Sequence, residues 1–284
     1  MAVVFTLINA LFVSMSNVIG GVASRRLPVA IVVSVAGLSS IVLAVVYAAF
    51  MPGTPSSVGF AIGLVAGVFG GAGLPIAYRA FAIGPAGIAG AIIAVVTTAM
   101  ITLAGLVAGD PMTPLRAIGL ALCIVAILLV TYRRPVDGHR VSARGPVLAM
   151  IAALLFSGFV ITINAAPEPD GMWPLVGARI GVTVVAVLFL GWTLYRRGRA
   201  ITASLRARRS LVLIPIAAGA LDITGNLFLV LALQAGDLVL LAILAPAAPI
   251  FTAIIGRVFL RELMTRWQIV GLVVASGALV LASL

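Results

Sequence analysis

The chain alternates long apolar runs with short polar connectors, and each run approaches the ~20 apolar residues that a helix needs to cross a bilayer. The start of the chain is too long and too weakly charged at its front to be a signal peptide, so it is expected to be the first span. The pattern predicts an all-α integral membrane protein with ten transmembrane helices, at residues 1–23, 29–50, 58–78, 86–108, 116–132, 146–165, 173–195, 211–235, 238–258 and 267–284.

The last two runs, Leu238 to Val280, are repeated in weaker form between Tyr78 and Val130. Each copy has an apolar run, an acidic residue at a hinge, then a threonine and a glycine at the same spacing: Asp110, Thr113 and Gly119, and Glu262, Thr265 and Gly271. We predict two five-helix repeats, 1–132 and 146–284, joined by a basic connector at 133–145. Because five is odd, the repeats have opposite orientation, as in inverted-repeat transporters.

The amino-acid composition excludes a soluble globular protein. Hydrophobic residues make up 63% of the chain and charged residues 9%, a balance that no soluble domain of this size carries. In a soluble chain the net charge of +11 would suggest nucleic acid, but here the basic residues follow the connectors, so no nucleic-acid partner is expected. The single cysteine, Cys123, excludes a disulfide within the chain.

The arginines predict the orientation. All eighteen basic residues are arginine, and sixteen lie in or beside connectors after odd-numbered helices, whereas only Arg116 follows an even-numbered one. Arginine-rich short loops stay in the cytoplasm. The chain is therefore expected to be a multi-pass protein of the bacterial cytoplasmic membrane, with both termini outside.

Two charged residues within the predicted spans are the main candidates for chemistry. Asp222 lies near the middle of the eighth helix, where a carboxylate is costly and usually functional, and Asn226 shares its face. Asp222 either lines a cavity that binds a polar substrate group or a proton, or clamps helices through the backbone or Arg179. Arg179, two turns inside the seventh helix, could bind an anionic substrate, pair with Asp222, or snorkel to the surface.

Other polar and small residues have weaker signals. Asn17 and Asn164 offer hydrogen bonds either to a ligand or between helices. The small residues Gly63 and Gly67 predict a packing face of the third helix, or a face on which that helix slides. Gly67→Ala is expected to be a small perturbation of the folded bundle, with near-normal substrate binding and slower transport. Mid-membrane carbonyls freed by Pro246 and Pro249 predict either a bend at a gate or a kink for packing.

An intramembrane enzyme is disfavoured. The single histidine, His139, lies in the basic connector, and the sequence contains neither His-Glu-x-x-His nor Gly-x-Ser-x-Gly. One acid and one distant histidine do not build the usual acid–base or metal site. No catalytic residue, metal or cofactor is expected.

Several tracts resemble the EamA-like transporters of the drug/metabolite transporter (DMT) superfamily. They are Phe228 to Gln234, Pro246, Leu260-Arg261-Glu262, Thr265, Gln268 and Gly271 in the second half, and more loosely Tyr78-Arg79-Ala80 and Asp110 in the first. In the first half Asp110 stands for the family's glutamate, and Val96 occupies the position equivalent to Pro246. Asn17 and Arg179 also resemble family positions.

The duplication and this resemblance imply a secondary transporter that works by alternating access. The expected partner is a small organic metabolite or drug-like compound, moved by an exporter or permease, with a proton as one candidate coupling ion. A monomer or homodimer surrounded by lipid is expected. The alternative is a flippase or an accessory subunit for a lipid-linked carrier. The resemblance would place both termini in the cytoplasm, whereas the arginine distribution predicts the opposite.

Overall fold

The computed structural model describes residues 1–24, 26–83, 86–131, 144–207, 209–236, 238–244, 247–248, 251, 254–255, 266–267, 270–271, 273–274 and 277. The helices are α1 Ala2–Ser24, α2 Val29–Phe50, α3 Ser57–Ile83, α4 Ala86–Ala108, α5 Pro114–Thr131, α6 Arg144–Asn164, α7 Trp173–Ala207, α8 Leu213–Ala235 and α9 Leu238–Leu244. Short 3-10 turns lie at Glu168–Asp170 and Arg209–Val212. No strand occurs among these described residues.

Within the described part of the chain, six helices are long and apolar enough to cross a membrane. They are α1, α2, α6 and α8, together with Ser57–Ala77 of α3 and Trp173–Arg196 of α7. Each has at least 21 residues, which at ~1.5 Å per residue matches the ~30 Å of bilayer hydrocarbon. The predicted all-helical membrane character is confirmed. The ninth predicted span is described only in part, and the tenth lies mostly outside the described residues.

Two helices run further than the apolar pattern predicts. The stretch after Tyr195, predicted as a polar connector, is part of α7, which continues to Ala207 over 35 residues. Arginine, alanine and leucine favour helix and no proline interrupts the stretch, so the helix continues beyond its apolar part. Similarly, α3 continues past Tyr78 to Ile83 with Pro75 inside it. The end of the apolar pattern is therefore not the end of the helix in either case.

Helices of the first half pack mainly against helices of the second. Contacts join α1 to α8, α2 to α7 and α8, α3 to α6 and α7, and α4 to α6 and α9. The largest buried cluster brings together α2, α3, α6, α7 and α8, through residues that include Ala44, Ala66, Ile163, Leu175 and Ile223. The two halves thus share one core.

Helices α3 and α7 pack closely, and glycines make this possible. A Cβ atom at Gly63 would overlap the carbonyl oxygen of Pro174, and one at Gly67 would overlap that of Ala178. Gly181 of α7 faces the backbone of α3 in the same way. Small residues let the two backbones touch. The expectation that Gly67→Ala is a small perturbation of the folded bundle is therefore wrong, because one methyl group already meets a backbone oxygen that cannot rotate away.

The connectors meet at two opposite ends of the bundle. At what we call the Asp170 end, the α2–α3 and α6–α7 connectors join: the Thr54 amide donates to the Pro169 carbonyl at 2.9 Å, and the Ser56 hydroxyl donates to the Asp170 carboxylate. At the other, the Leu27 end, a small buried cluster that includes Leu27 packs against Leu211 and Ile214, next to the start of α8.

Candidate functional site

A cavity of about 90 Å³ lies between α1, α2, α7 and α8, in the half of the bundle near the Leu27 end. It has room for several water molecules or a small polar compound. Its polar lining comes from four helices: Ser16 and Asn17 of α1, Ser40 of α2, Arg179 of α7 and Asp222 of α8. The cavity is therefore built between residues that are far apart in the chain.

The two charged residues of the cavity form an ion pair. Arg179 Nη1 donates to Asp222 Oδ2, and their side chains are 5% and 35% exposed. Snorkelling of Arg179 to the surface is thus wrong. The reason is packing: Leu175 and Val176 on the preceding turn are buried in the main core, so this part of α7 faces inward. Asp222 keeps one side towards the cavity.

Neighbouring hydrogen bonds hold both backbones in place. Asn226 is buried, and its Nδ2 donates to the Asp222 carbonyl at 2.8 Å and lies 3.4 Å from Oδ1. The Thr183 hydroxyl donates to the Arg179 carbonyl at 2.7 Å. Gly37 of α2 admits α7 closely here, since a Cβ would lie 2.8 Å from Thr183 Oγ1. Asn226 therefore helps to fix the position of the Asp222 backbone and carboxylate.

Arg179 has donors to spare. A guanidinium carries five N–H donors. Among the described residues only Asp222 accepts from Arg179, and the buried Nε has no partner there. A buried donor without an acceptor is costly. The arginine can therefore donate to a further anionic or carbonyl oxygen without giving up a competing bond.

The remaining predicted site residues are divided. Asn17 is exposed and lines the cavity with Arg179 and Asp222. Asn164 is exposed at the last position of α6, away from the cavity lining. Pro246 and Pro249 lie outside the described residues. The structure thus brings Asn17, Arg179 and Asp222 together, with Asn226 beside them, and leaves Asn164 apart.

Sequence reasoning missed the small residues that shape the site. Ser34, Gly37 and Ser40 recur every three positions in α2, a signal of one close-packed helix face. The link between α1 and α8 comes from Asn9, whose Nδ2 donates to the Gly225 carbonyl at 2.8 Å, and from Ser16, which donates to the Ala218 carbonyl at 2.8 Å. The polar periodicity of α2 was available in the sequence.

Comparison with known proteins gives a family. The sequence profile of the EamA-like transporter family matches residues 143–284, half of the chain. The comparison with curated proteins finds no match. A solved structure, titled only as the crystal structure of a protein, aligns over 100% of this chain and 98% of its own, with a TM-score of 0.71 and 14% sequence identity. At that identity the likeness concerns the fold alone. With its membrane-spanning helices and this profile match, the chain belongs to the EamA-like transporter family of the DMT superfamily, a family of multi-pass membrane transporters.

Proposed function

We propose that the protein is a secondary active transporter that moves a small organic metabolite or drug-like compound across the bacterial cytoplasmic membrane by alternating access, as an exporter or permease. The observation that carries the proposal is the Arg179–Asp222 pair, which lines a cavity inside a membrane bundle. Charges in the membrane interior are expensive and mark substrate or ion pathways.

The helix contacts support two inverted five-helix repeats, 1–132 and 146–284. In that arrangement α1 corresponds to α6, α2 to α7, α3 to α8 and α4 to α9. The α1–α8 contact then has its counterpart in α6–α3, and α3–α7 has its counterpart in α8–α2, while α2–α7 and α4–α9 map onto themselves; all of these contacts occur. Two related halves that pack across each other favour alternating access. The set of helix contacts that closes one end can be replaced by the symmetry-related set that closes the other end.

The cavity's position favours an inward-open state. It lies towards the Leu27 end, on the side of the connectors that carry most of the arginines. The positive-inside rule places that side in the cytoplasm. The Asp170 end, closed by hydrogen bonds and the main core, would then face the outside.

Asp222 is the proposed coupling residue. While ionised, it neutralises Arg179 in a site where an unpaired charge is strongly unfavourable. A proton delivered to Asp222 through the cavity, or a polar group of the substrate that binds Asp222 there, would release Arg179 for a substrate anion or dipole. Partial exposure of the Asp222 side chain gives the proton a route.

The experiment is transport in proteoliposomes that hold the purified protein, with a panel of small polar metabolites and imposed proton and substrate gradients. Asp222→Asn is expected to abolish gradient-driven transport while the protein remains folded, because it removes the charge and keeps the shape. Asn164→Ala, outside the cavity, is the matched control and is expected to transport normally. Driven transport by Asp222→Asn at the native rate would contradict the proposal.

A further inference from the structure

The cavity of the proposed transporter has a balanced pair of charges, and this limits what it can bind. One basic and one acidic side chain line it, Arg179 and Asp222, and each compensates the other. A ligand with a single charge, whichever of the two it engages, leaves the site with one uncompensated charge. An uncompensated charge in a poorly solvated site is costly.

We infer that the substrate is a small zwitterion, whose anionic group binds Arg179 and whose cationic group binds Asp222. This inference rests on the proposed transport function. In such a complex every charge has an opposite neighbour, so exchanging the protein's internal pair for two protein–ligand pairs leaves no uncompensated charge.

Arg179 fits the anionic half of this ligand. It is 4% exposed, it lines the cavity, and its Nε is buried with no partner among the described residues. The planar guanidinium binds carboxylates and similar oxyanions through two parallel N–H···O bonds. An anionic group would therefore use donors that the pair with Asp222 leaves idle.

Asp222 fits the cationic half. Its carboxylate is held by Asn226 from behind and is 35% exposed, so that a cation can reach it from the cavity side. Asn17 adds an exposed amide on the same lining. Because the two charged groups touch and the cavity is about 90 Å³, the ligand's charges must be separated by only a few atoms.

The test measures binding to the purified full-length protein in lipid nanodiscs by titration calorimetry. The probes are four zwitterions, glycine, β-alanine, 4-aminobutyrate and taurine, with the carboxamide of β-alanine as matched cation and N-acetyl-β-alanine as matched anion. At least one zwitterion is expected to bind, and β-alanine to bind with a Kd about tenfold or more below that of either capped form. In Asp222→Asn, zwitterion affinity should fall and N-acetyl-β-alanine affinity should rise, because Arg179 is freed; Asn164→Ala should match the native protein.

Other results would overturn the inference. Tighter binding of the acetylated anion than of β-alanine in the native protein would point to an anion taken up with a proton. If no zwitterion binds while another compound is transported in proteoliposomes, the zwitterion assignment fails and the transport function stands. If no panel compound is transported either, both fail.

Discussion

The two ends of the bundle are closed by different chemistry, although the proposed repeat makes their contacts counterparts. At the Asp170 end a carboxylate that is 3% exposed accepts from Ser56, the connectors share a backbone hydrogen bond, and the main core packs next to them. At the Leu27 end, Ala23, Leu27 and Val32 meet two partly buried side chains, and the cavity lies directly beyond. Opening the first end strips a buried carboxylate of its donor, whereas parting the second separates the apolar side chains of the Leu27 cluster. The difference explains why the cavity is found on the Leu27 side.

The largest effect is expected at the α3–α7 glycine contact that supports the Asp170 end. Gly67→Ala places a methyl group against the Ala178 carbonyl oxygen. Overpacking of this kind costs about 1–3 kcal/mol, which corresponds to a fall of about 2–12 °C in the melting temperature in detergent. Gly191→Ala in α7, which has no heavy atom within 4 Å, is the control and should melt at or slightly above the native temperature. Equal melting of the two variants would contradict the close contact.

The next largest loss of stability is expected when the Arg179–Asp222 ion pair is broken. Asp222→Ala leaves Arg179 buried without its partner, and the expected loss is about 2 kcal/mol, below the range for a fully buried pair because Asp222 is 35% exposed. The double variant Arg179→Leu/Asp222→Ala should recover part of the lost melting temperature. If the double variant melts lower than Asp222→Ala alone, the pair is not what stabilises this region.

A smaller loss of stability is expected when the Ser56–Asp170 hydrogen bond at the Asp170 end is removed. Ser56→Ala removes the hydroxyl donor from a buried carboxylate and should lower stability by about 1 kcal/mol, seen as a fall of about 2–4 °C in melting temperature. Ser57→Ala, at the exposed neighbouring position, is the control. If both variants melt alike, the Asp170 contact does not close this end.

The sequence predicted the helical membrane class and much of the site, and the reasons for its misses are physical. Asp222 and Arg179 are visible because charges in apolar runs are rare. Whether Arg179 snorkels or turns inward depends on the packing of Leu175 and its neighbours, which no local pattern contains. The burial of Asp170 likewise depends on a contact between distant connectors, in which Gly171 has φ 56° and lies against Pro52.

Asn17 and Asn164 are a second case in which the sequence alone could not predict a residue's role. Both are asparagines in apolar helices, and the sequence gives no reason to assign them different roles. The packing of α1 on α8 brings Asn17 to the cavity, through hydrogen bonds from Asn9 and Ser16, while Asn164 is left at the exposed end of α6. Helix register against a neighbour decides the role, and register is a tertiary property.

The most direct test of the account is sided thiol labelling of single-cysteine variants in a Cys123→Ala background, in membrane vesicles of both orientations. Asn17→Cys, in the cavity, should react with a membrane-impermeant maleimide from the cytoplasmic side, and Ala44→Cys, buried in the main core, should be protected from both sides. Thr54→Cys, exposed at the Asp170 end, should react only from the outside and so fixes the orientation. Labelling of Asn17→Cys from the side that labels Thr54→Cys, or from neither side, would contradict a substrate cavity that opens to the cytoplasm.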